Sequence, residues 1–284
     1  PPALSGETAK ESVRAYAPFP GGMWISVRKS GVVRLDFATG EVTSISQAPG
    51  VSQALANNEA RLLLLDPERR ELWIGLSQGL LLYDTATGAA RRFGHDPSDP
   101  SSLPHDRIRA LHRDGRGRIW VGTSLGLALL KEDRSGFSVW KHDPAKPDAS
   151  LAGYGARCVA EDGSGRYWVA TETGVTVLSP DTGEVRNLRE EDGLPNGAVY
   201  GIVASGGFMW ASTMRGLARI DPATFAVLRY FKRDGLPDNE FNFNAWGRLQ
   251  TGELLFGTVN GFVMFAPGSV PCPENARKPP RIVL

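Results

Sequence analysis

Four histidines, two cysteines and a set of recurring aspartates are the residues of this 284-residue chain whose chemistry would suit catalysis or metal binding. The histidines, His95, His105, His112 and His142, form no closely spaced ligand pair, and there is no Cys-x-x-Cys. A structural zinc site is therefore not expected, and neither a metal nor a cofactor is assigned. His95 and His142 both stand in His-Asp-Pro, one linker apart, and a role repeated along the chain is structural. Asp114 and Asp162 each precede a glycine at matching points and read as turn formers, as does Asp192 in Glu-Asp-Gly-Leu-Pro. Gly115-Arg116-Gly117 and Gly163-Ser164-Gly165 lie in hairpin turns rather than ahead of a helix, which is not the context of a phosphate loop. No Gly-x-Ser-x-Gly nucleophile elbow occurs. Cys158 falls in a strand and Cys272 in a Pro-rich tail, as a buried small residue and a tail thiol, with a disulfide between them as the alternative. No catalytic residue is assigned, and the chain is not read as an enzyme.

The elements that position these residues repeat. Trp120-Val121-Gly122-Thr123, followed by a turn at Gly126, returns as Trp73-Ile74-Gly75 with Gly79, Trp168-Val169-Ala170-Thr171 with Gly174, and Trp210-Ala211-Ser212-Thr213 with Gly216. An early copy begins at Trp24 and turns at Gly31; a degraded one begins at Leu255 and turns at Gly261. The anchors at 24, 73, 120, 168, 210 and 255 are spaced by 49, 47, 48, 42 and 45 residues, and a period in the forties built of short strands marks a propeller blade. In the third unit the pattern predicts strands over 108–112, 119–123, 127–131 and 137–142. Helical periodicity is absent over almost the whole chain. The anchor aromatics should be buried. The column two residues on (Ser26, Gly75, Gly122, Ala170, Ser212, Gly257) is small throughout, as expected where neighbouring sheets converge. The fold class is all-β: a β-propeller of six recognisable four-stranded blades, or seven if one is missing or completed from outside the chain.

Composition narrows the function. A net charge of +1 gives no reason to expect nucleic acid or an acidic membrane surface. No apolar run approaches the roughly 20 residues that span a bilayer. The organisation expected is a linker over 1–11, the propeller over 12–268, and a linker over 269–284 whose Pro279-Pro280-Arg281-Ile282 reads as the opening strand of a further domain. The chain reads as a mature or excised piece of something larger.

A binding site is sought where units break their own pattern. Eleven residues before each anchor, the first strand carries Val13, Leu62, Arg109, Arg157, Val199 and Asn244; Tyr200 follows one place later, and Trp246 replaces an aliphatic residue. First strands line the channel of a propeller, so Arg109, Arg157, Tyr200, Asn242, Asn244 and Trp246 are the candidate ligand-binding residues at one mouth. Arginine forks and an aromatic plate suit an anionic or sugar-like ligand.

His-Asp-Pro…Ser-Leu-Pro, Trp-Val-Gly-Thr…Gly-Leu, Asp-Gly-Leu-Pro-Asp-Asn-Glu-Phe-Asn and the closing Phe-Gly-Thr…Asn-Gly-Phe…Phe-Ala-Pro together resemble the two-component regulator propeller repeats of bacterial membrane sensors, over residues 13–268. The resemblance implies an extracytoplasmic, periplasmic domain that senses or relays a ligand, a small molecule or an oligosaccharide, without catalysis of its own. It implies an adjacent immunoglobulin-like domain, a second propeller of the same chain and a second copy of the sensor as partners. Contact with the membrane would come only through further segments, and the output would be a histidine kinase or a diguanylate cyclase. Two alternatives stand beside it. One is a metal-dependent lyase propeller, which would need His105 and His112 to approach Glu172 or Glu240. The other is an interaction scaffold with an exposed aromatic patch around Trp140.

Overall fold

The computed structural model describes residues 12–28, 31–48, 50–55 and 59–270. The chain divides into two compact units, residues 1–139 and 140–284.

The first unit holds three four-stranded antiparallel sheets. β1 (Val13–Phe19), β2 (Gly22–Val27), β3 (Gly31–Asp36) and β4 (Val42–Ser44) form the first. A five-residue helix, α1 (Val51–Leu55), leads to β5 (Ala60–Asp66), β6 (Glu71–Leu76), β7 (Leu80–Asp84) and β8 (Ala90–Phe93). β9 (Ile108–Arg113), β10 (Ile119–Thr123), β11 (Gly126–Leu130) and β12 (Phe137–Trp140) form the third, whose last strand ends at the boundary. The strands predicted for this blade differ from those observed by no more than two residues at any end, within the usual fraying of assignments.

The second unit holds β13 (Cys158–Glu161), β14 (Tyr167–Ala170), β15 (Val175–Ser179) and β16 (Glu184–Leu188), then β17 (Val199–Ser205), β18 (Phe208–Thr213), β19 (Gly216–Ile220) and β20 (Val227–Tyr230). β21 (Phe241–Arg248), β22 (Leu254–Thr258) and β23 (Gly261–Phe265) close the series as a sheet of three strands among the described residues. The fold is all-β, a β-propeller of six blades.

The recurring letters have physical jobs. Trp73, Trp120, Trp168 and Trp210 are fully buried on second strands covered on both faces. Trp24 is nearly so, whereas Leu255 is half-buried and its neighbour Phe256 supplies the buried ring of the sixth blade. The small column permits close approach: a Cβ on Gly75 would stand 3.0 Å from Ile108 of the next blade. The threonine three residues after the anchor closes the turn, Thr123, Thr171, Thr213 and Thr258 each donating Oγ1–H to the carbonyl of the turn glycine at 2.7–3.1 Å. Gly174, at φ +153°, shows why glycine is needed there: a Cβ would run into the Leu188 carbonyl.

The linkers are pinned from within. His95 donates Nδ1–H to the Leu103 carbonyl at 2.7 Å and His142 does the same to Leu151 at 2.6 Å. The Asp-Gly-Leu-Pro linkers each fold as a single 3₁₀ turn, in which Asp192 accepts from the Arg189 N–H and Asp234 from the Phe231 N–H. The expected segments 1–11 and 271–284, with Cys272 and the strand after Pro280, lie outside the described residues.

Candidate functional site

The first strands of four blades do not pair with their neighbours without interruption. Register shifts fall at Arg14 in β1, Arg61 in β5, Arg109 in β9 and Tyr200 in β17. In the fourth blade Arg157 immediately precedes β13 and donates its N–H to the Ala170 carbonyl at 2.8 Å. A bulge leaves a residue outside the ladder and re-aims its side chain. At this place four successive blades carry arginine and the fifth tyrosine. A fixed offset from the tryptophan anchor had picked out only Arg109 and Arg157, because the hairpins of the first two blades differ in length by a residue.

In the first unit these arginines are engaged. Glu59 faces Arg61 at 3.1 Å, Arg28 at 3.6 Å and Arg14 at 4.0 Å, while Arg109 donates from Nε to Ser124 Oγ at 3.0 Å.

In the second unit Arg157 lies over two rings, its Cζ 5.7 Å from the Tyr200 centroid and 5.1 Å from that of Phe243. The rings themselves meet at 4.1 Å between centroids. Tyr200 is buried and Phe243 is 53% exposed, so the cluster spans from core to solvent. Nη1 of Arg157 is buried and has no hydrogen-bond partner among the described residues. A guanidinium carries five donors, and one left unpaired in a buried place costs about 1–3 kcal/mol. The cation–π contacts offset part of that cost and hold the fork in one orientation.

Phe243 reaches this place through the largest bulge in the molecule's described ladders. Phe241 pairs with Thr258 and Trp246 with Phe256, so five steps along β21 match two along β22. Residues 242–245 are thereby looped out. Asn242 donates Nδ2–H to the Thr258 carbonyl at 2.8 Å, and exposed Asn244 takes a left-handed backbone at φ +53°. Trp246 packs over Gly201, where a Cβ would fall inside the indole, and it joins the apolar clusters on either side. Of the six residues predicted, then, the structure brings Arg157 and Tyr200 together. Asn242 and Asn244 stand on the same bulge as Phe243, Trp246 takes a core position, and Arg109 belongs to the other unit. Phe243 was missed, although the spacing of Phe241, Phe243 and Trp246 in an otherwise polar run marks it.

The aspartates have no vacancy for chemistry. Asp114 accepts from the N–H groups of Arg116 and Arg118, from Arg118 Nε and from Trp120 Nε1, all at 2.9–3.0 Å. Asp162 repeats this with Ser164, Arg166 and Trp168. Burial alone would raise the Asp162 pKa, but the donors from Ser164, Trp168 and Arg166 outweigh it and hold the carboxyl below its ordinary value. Glu172 accepts from the N–H groups of Tyr154 and Gly155, and His105 Nδ1 accepts from the Arg107 N–H. Among the described residues no group of three or more His, Cys, Asp or Glu side chains is placed to hold a metal ion. Trp140 is half-buried. No described helix is long and apolar enough to cross a membrane.

Comparison with known proteins places these features. The family model of the two component regulator propeller matches residues 102–124, which run from the Ser-Leu-Pro of the linker through Trp-Val-Gly-Thr. No curated protein sequence matches the chain. Among solved structures, the extracellular domain of the designated hybrid two component system BT3049 from B. thetaiotaomicron superposes with a TM-score of 0.72 at 20% identity, over 90% of this chain and 34% of that one. PorZ, a bacterial surface component of the type-IX secretion system of Porphyromonas gingivalis, gives 0.60 at 16% identity over 91% of this chain and 39% of its own. The computationally designed Ika8 protein gives 0.59 at 13%, over 90% and 71%. At such identities the likeness is one of fold, and the chain spans about a third of the length of the Bacteroides domain. The two component regulator propeller model thus covers one unit, residues 102–124, and the tryptophan, threonine and turn glycine of that unit recur along the chain.

Proposed function

We propose that this chain is the ligand-sensing propeller of an extracytoplasmic bacterial signalling protein, with no catalysis of its own. One observation carries the ligand class: the Arg157 fork, held over Tyr200 and Phe243 with a buried and unpartnered Nη1. A guanidinium with a spare donor beside two rings recognises a carboxylate or sulfate, with the rings stacking on the flat face of a sugar or an organic acid. The ligand is an acidic oligosaccharide or a small organic anion. Asn242 and Asn244, exposed on the same bulge, add hydrogen bonds to its hydroxyl groups. In this reading the domain is periplasmic and relays through an adjacent immunoglobulin-like domain, a further propeller and a second copy of the sensor; the repeat match over residues 102–124 and the fold likeness to an extracellular two-component domain support the extracytoplasmic sensor role. Binding would shift the sensor between two arrangements only in proportion to its preference for one of them.

A thermal-shift screen against neutral and acidic oligosaccharides, organic acids, amino acids and divalent metals tests the class. A ligand at about a hundred times its dissociation constant adds roughly 2.7 kcal/mol of stability. Stabilisation confined to acidic compounds supports the proposal; stabilisation by metal alone replaces it with a metal-dependent activity.

A further inference from the structure

A cavity lies in the first unit, between the first two blades. It measures about 470 Å³, within the usual range for small-ligand sites, and is lined by Phe19, Trp24, Arg34, Leu65, Arg70 and Tyr83, with smaller contributions from neighbouring threonines. The Trp24 and Tyr83 rings meet edge to face at 6.1 Å, and the Arg34 guanidinium stands 5.1 Å from the Phe19 centroid. No carboxylate lines the cavity, although Asp36 approaches Arg34 from outside it at 3.7 Å.

The repeat shows what such a groove can hold. The hairpin between third and fourth strands has one left-handed residue in each of five blades: Gly40, Gly88, Arg134, Gly183 and Phe225, with φ between +59° and +76°. In the second and fifth blades the turn is the same, Gly88 and Phe225 each donating N–H to the aspartate four residues earlier, at 2.9 and 2.8 Å. Phe225 stacks on the Trp168 anchor of the preceding blade, 5.8 Å away at 25°, and is clamped by Arg186 at 4.0 Å and Arg166 at 5.2 Å. Phenylalanine in a left-handed turn is costly, and here it serves to plug the groove over an anchor tryptophan. Arg134 reaches back in a similar way, its guanidinium pairing with both oxygens of Glu71 in the preceding blade. At the corresponding place above Trp24 stands Gly88, and a Cβ there would meet only Tyr83 Oη, at 3.9 Å. Glycine also holds this turn position at Gly40 and Gly183, and the groove over Trp24 is lined by a tryptophan and two arginines with no ring from the turn between them.

We propose that this groove is a binding site for a small ligand that brings the missing ring: a flat aromatic group bearing a carboxylate. The ring takes the place over Trp24 that Phe225 occupies over Trp168, and the carboxylate pairs with Arg34 and Arg70 at the rim. This site is separate from the Arg157 cluster and draws on none of its residues.

The test is titration calorimetry of the whole chain with 4-hydroxyphenylacetate. Acetate and 4-hydroxyphenethyl alcohol serve as probes lacking the ring and the charge. The expected result is binding of the aromatic acid, with each partial probe roughly tenfold or more weaker. Gly88→Phe, which builds the fifth-blade plug into the second, abolishes binding while the protein still unfolds cooperatively. Arg34→Gln combined with Arg70→Gln, both exposed and remote from the core, weakens it by roughly tenfold and decides the matter if Gly88→Phe does not fold. Each titration is run in the Arg157→Ala background as well, so that any binding of the acid at the Arg157 cluster is not counted toward this site. Absence of binding at millimolar concentration, equal binding of the uncharged alcohol, or wild-type affinity in the folded Gly88→Phe protein would each overturn the proposal.

Discussion

Asp162 is 2% exposed at its side chain, yet its carboxyl stays ionised because every lone pair that faces the hairpin is used. Truncating it strands Trp168 Nε1 and the Arg166 guanidinium, so Asp162→Ala should cost roughly 2–4 kcal/mol in urea unfolding. Asp66, fully buried, is likewise below its ordinary value: burial pushes it up, and hydrogen bonds from Arg69 and Arg113 more than compensate. A carboxyl depressed in the folded state contributes stability that is complete above the unfolded value, about 3.9, and is lost as pH falls through the folded one. The urea midpoint should therefore hold from pH 7 to 5 and drop below pH 4, less so in Asp162→Ala. Cys158 titrates the other way. Its thiol is pushed up to about 12 by burial, with Sγ in contact with the Ile202 backbone. In a Cys272→Ser background a maleimide should leave the native protein unlabelled at pH 8 and label it fully in urea; native labelling would contradict the burial.

At the scale of the element, the strands and turns were legible because each recurrent letter answers a local demand. The tryptophan fills the space between sheets, the threonine closes the turn and the glycine takes the positive φ. The helix Val51–Leu55 and the three-strand sheet at the end do not alter that pattern. The bulges were not legible. A register shift leaves composition and spacing nearly untouched, so counting back from the anchor picked Val13, Leu62 and Val199 where the bulged residues of their strands are Arg14, Arg61 and Tyr200. The same slip hid Phe243, while Trp246, conspicuous as a break in pattern, proved to fill the hollow over Gly201. That hollow gives a clean test. Gly201→Ala places a methyl against the indole and should destabilise by roughly 1–3 kcal/mol, with Trp246→Leu in the same chain restoring part of the loss. Additivity of the two changes would mean that the residues do not meet.

For the molecule as a whole, blades of one design allow function to be placed by what a single blade changes. The arginine column is quenched by Glu59 or tied to Ser124 in the first unit and left with a spare donor at Arg157 in the second. The turn aromatic is particular to the fifth blade among the five compared, and the groove beside Gly88 is left without one. The first contrast supports a sensor of anionic ligands, and the measurement that bears on it most directly is a paired calorimetric titration of wild type and Arg157→Ala with an acidic oligosaccharide that stabilises the protein. A charge-assisted hydrogen bond is worth about 1.5–3 kcal/mol, so the variant should bind roughly ten- to a hundredfold more weakly, with unchanged folding, and the neutral form of the same saccharide should bind both proteins alike. Equal affinity of wild type and Arg157→Ala for the acidic ligand would contradict the account.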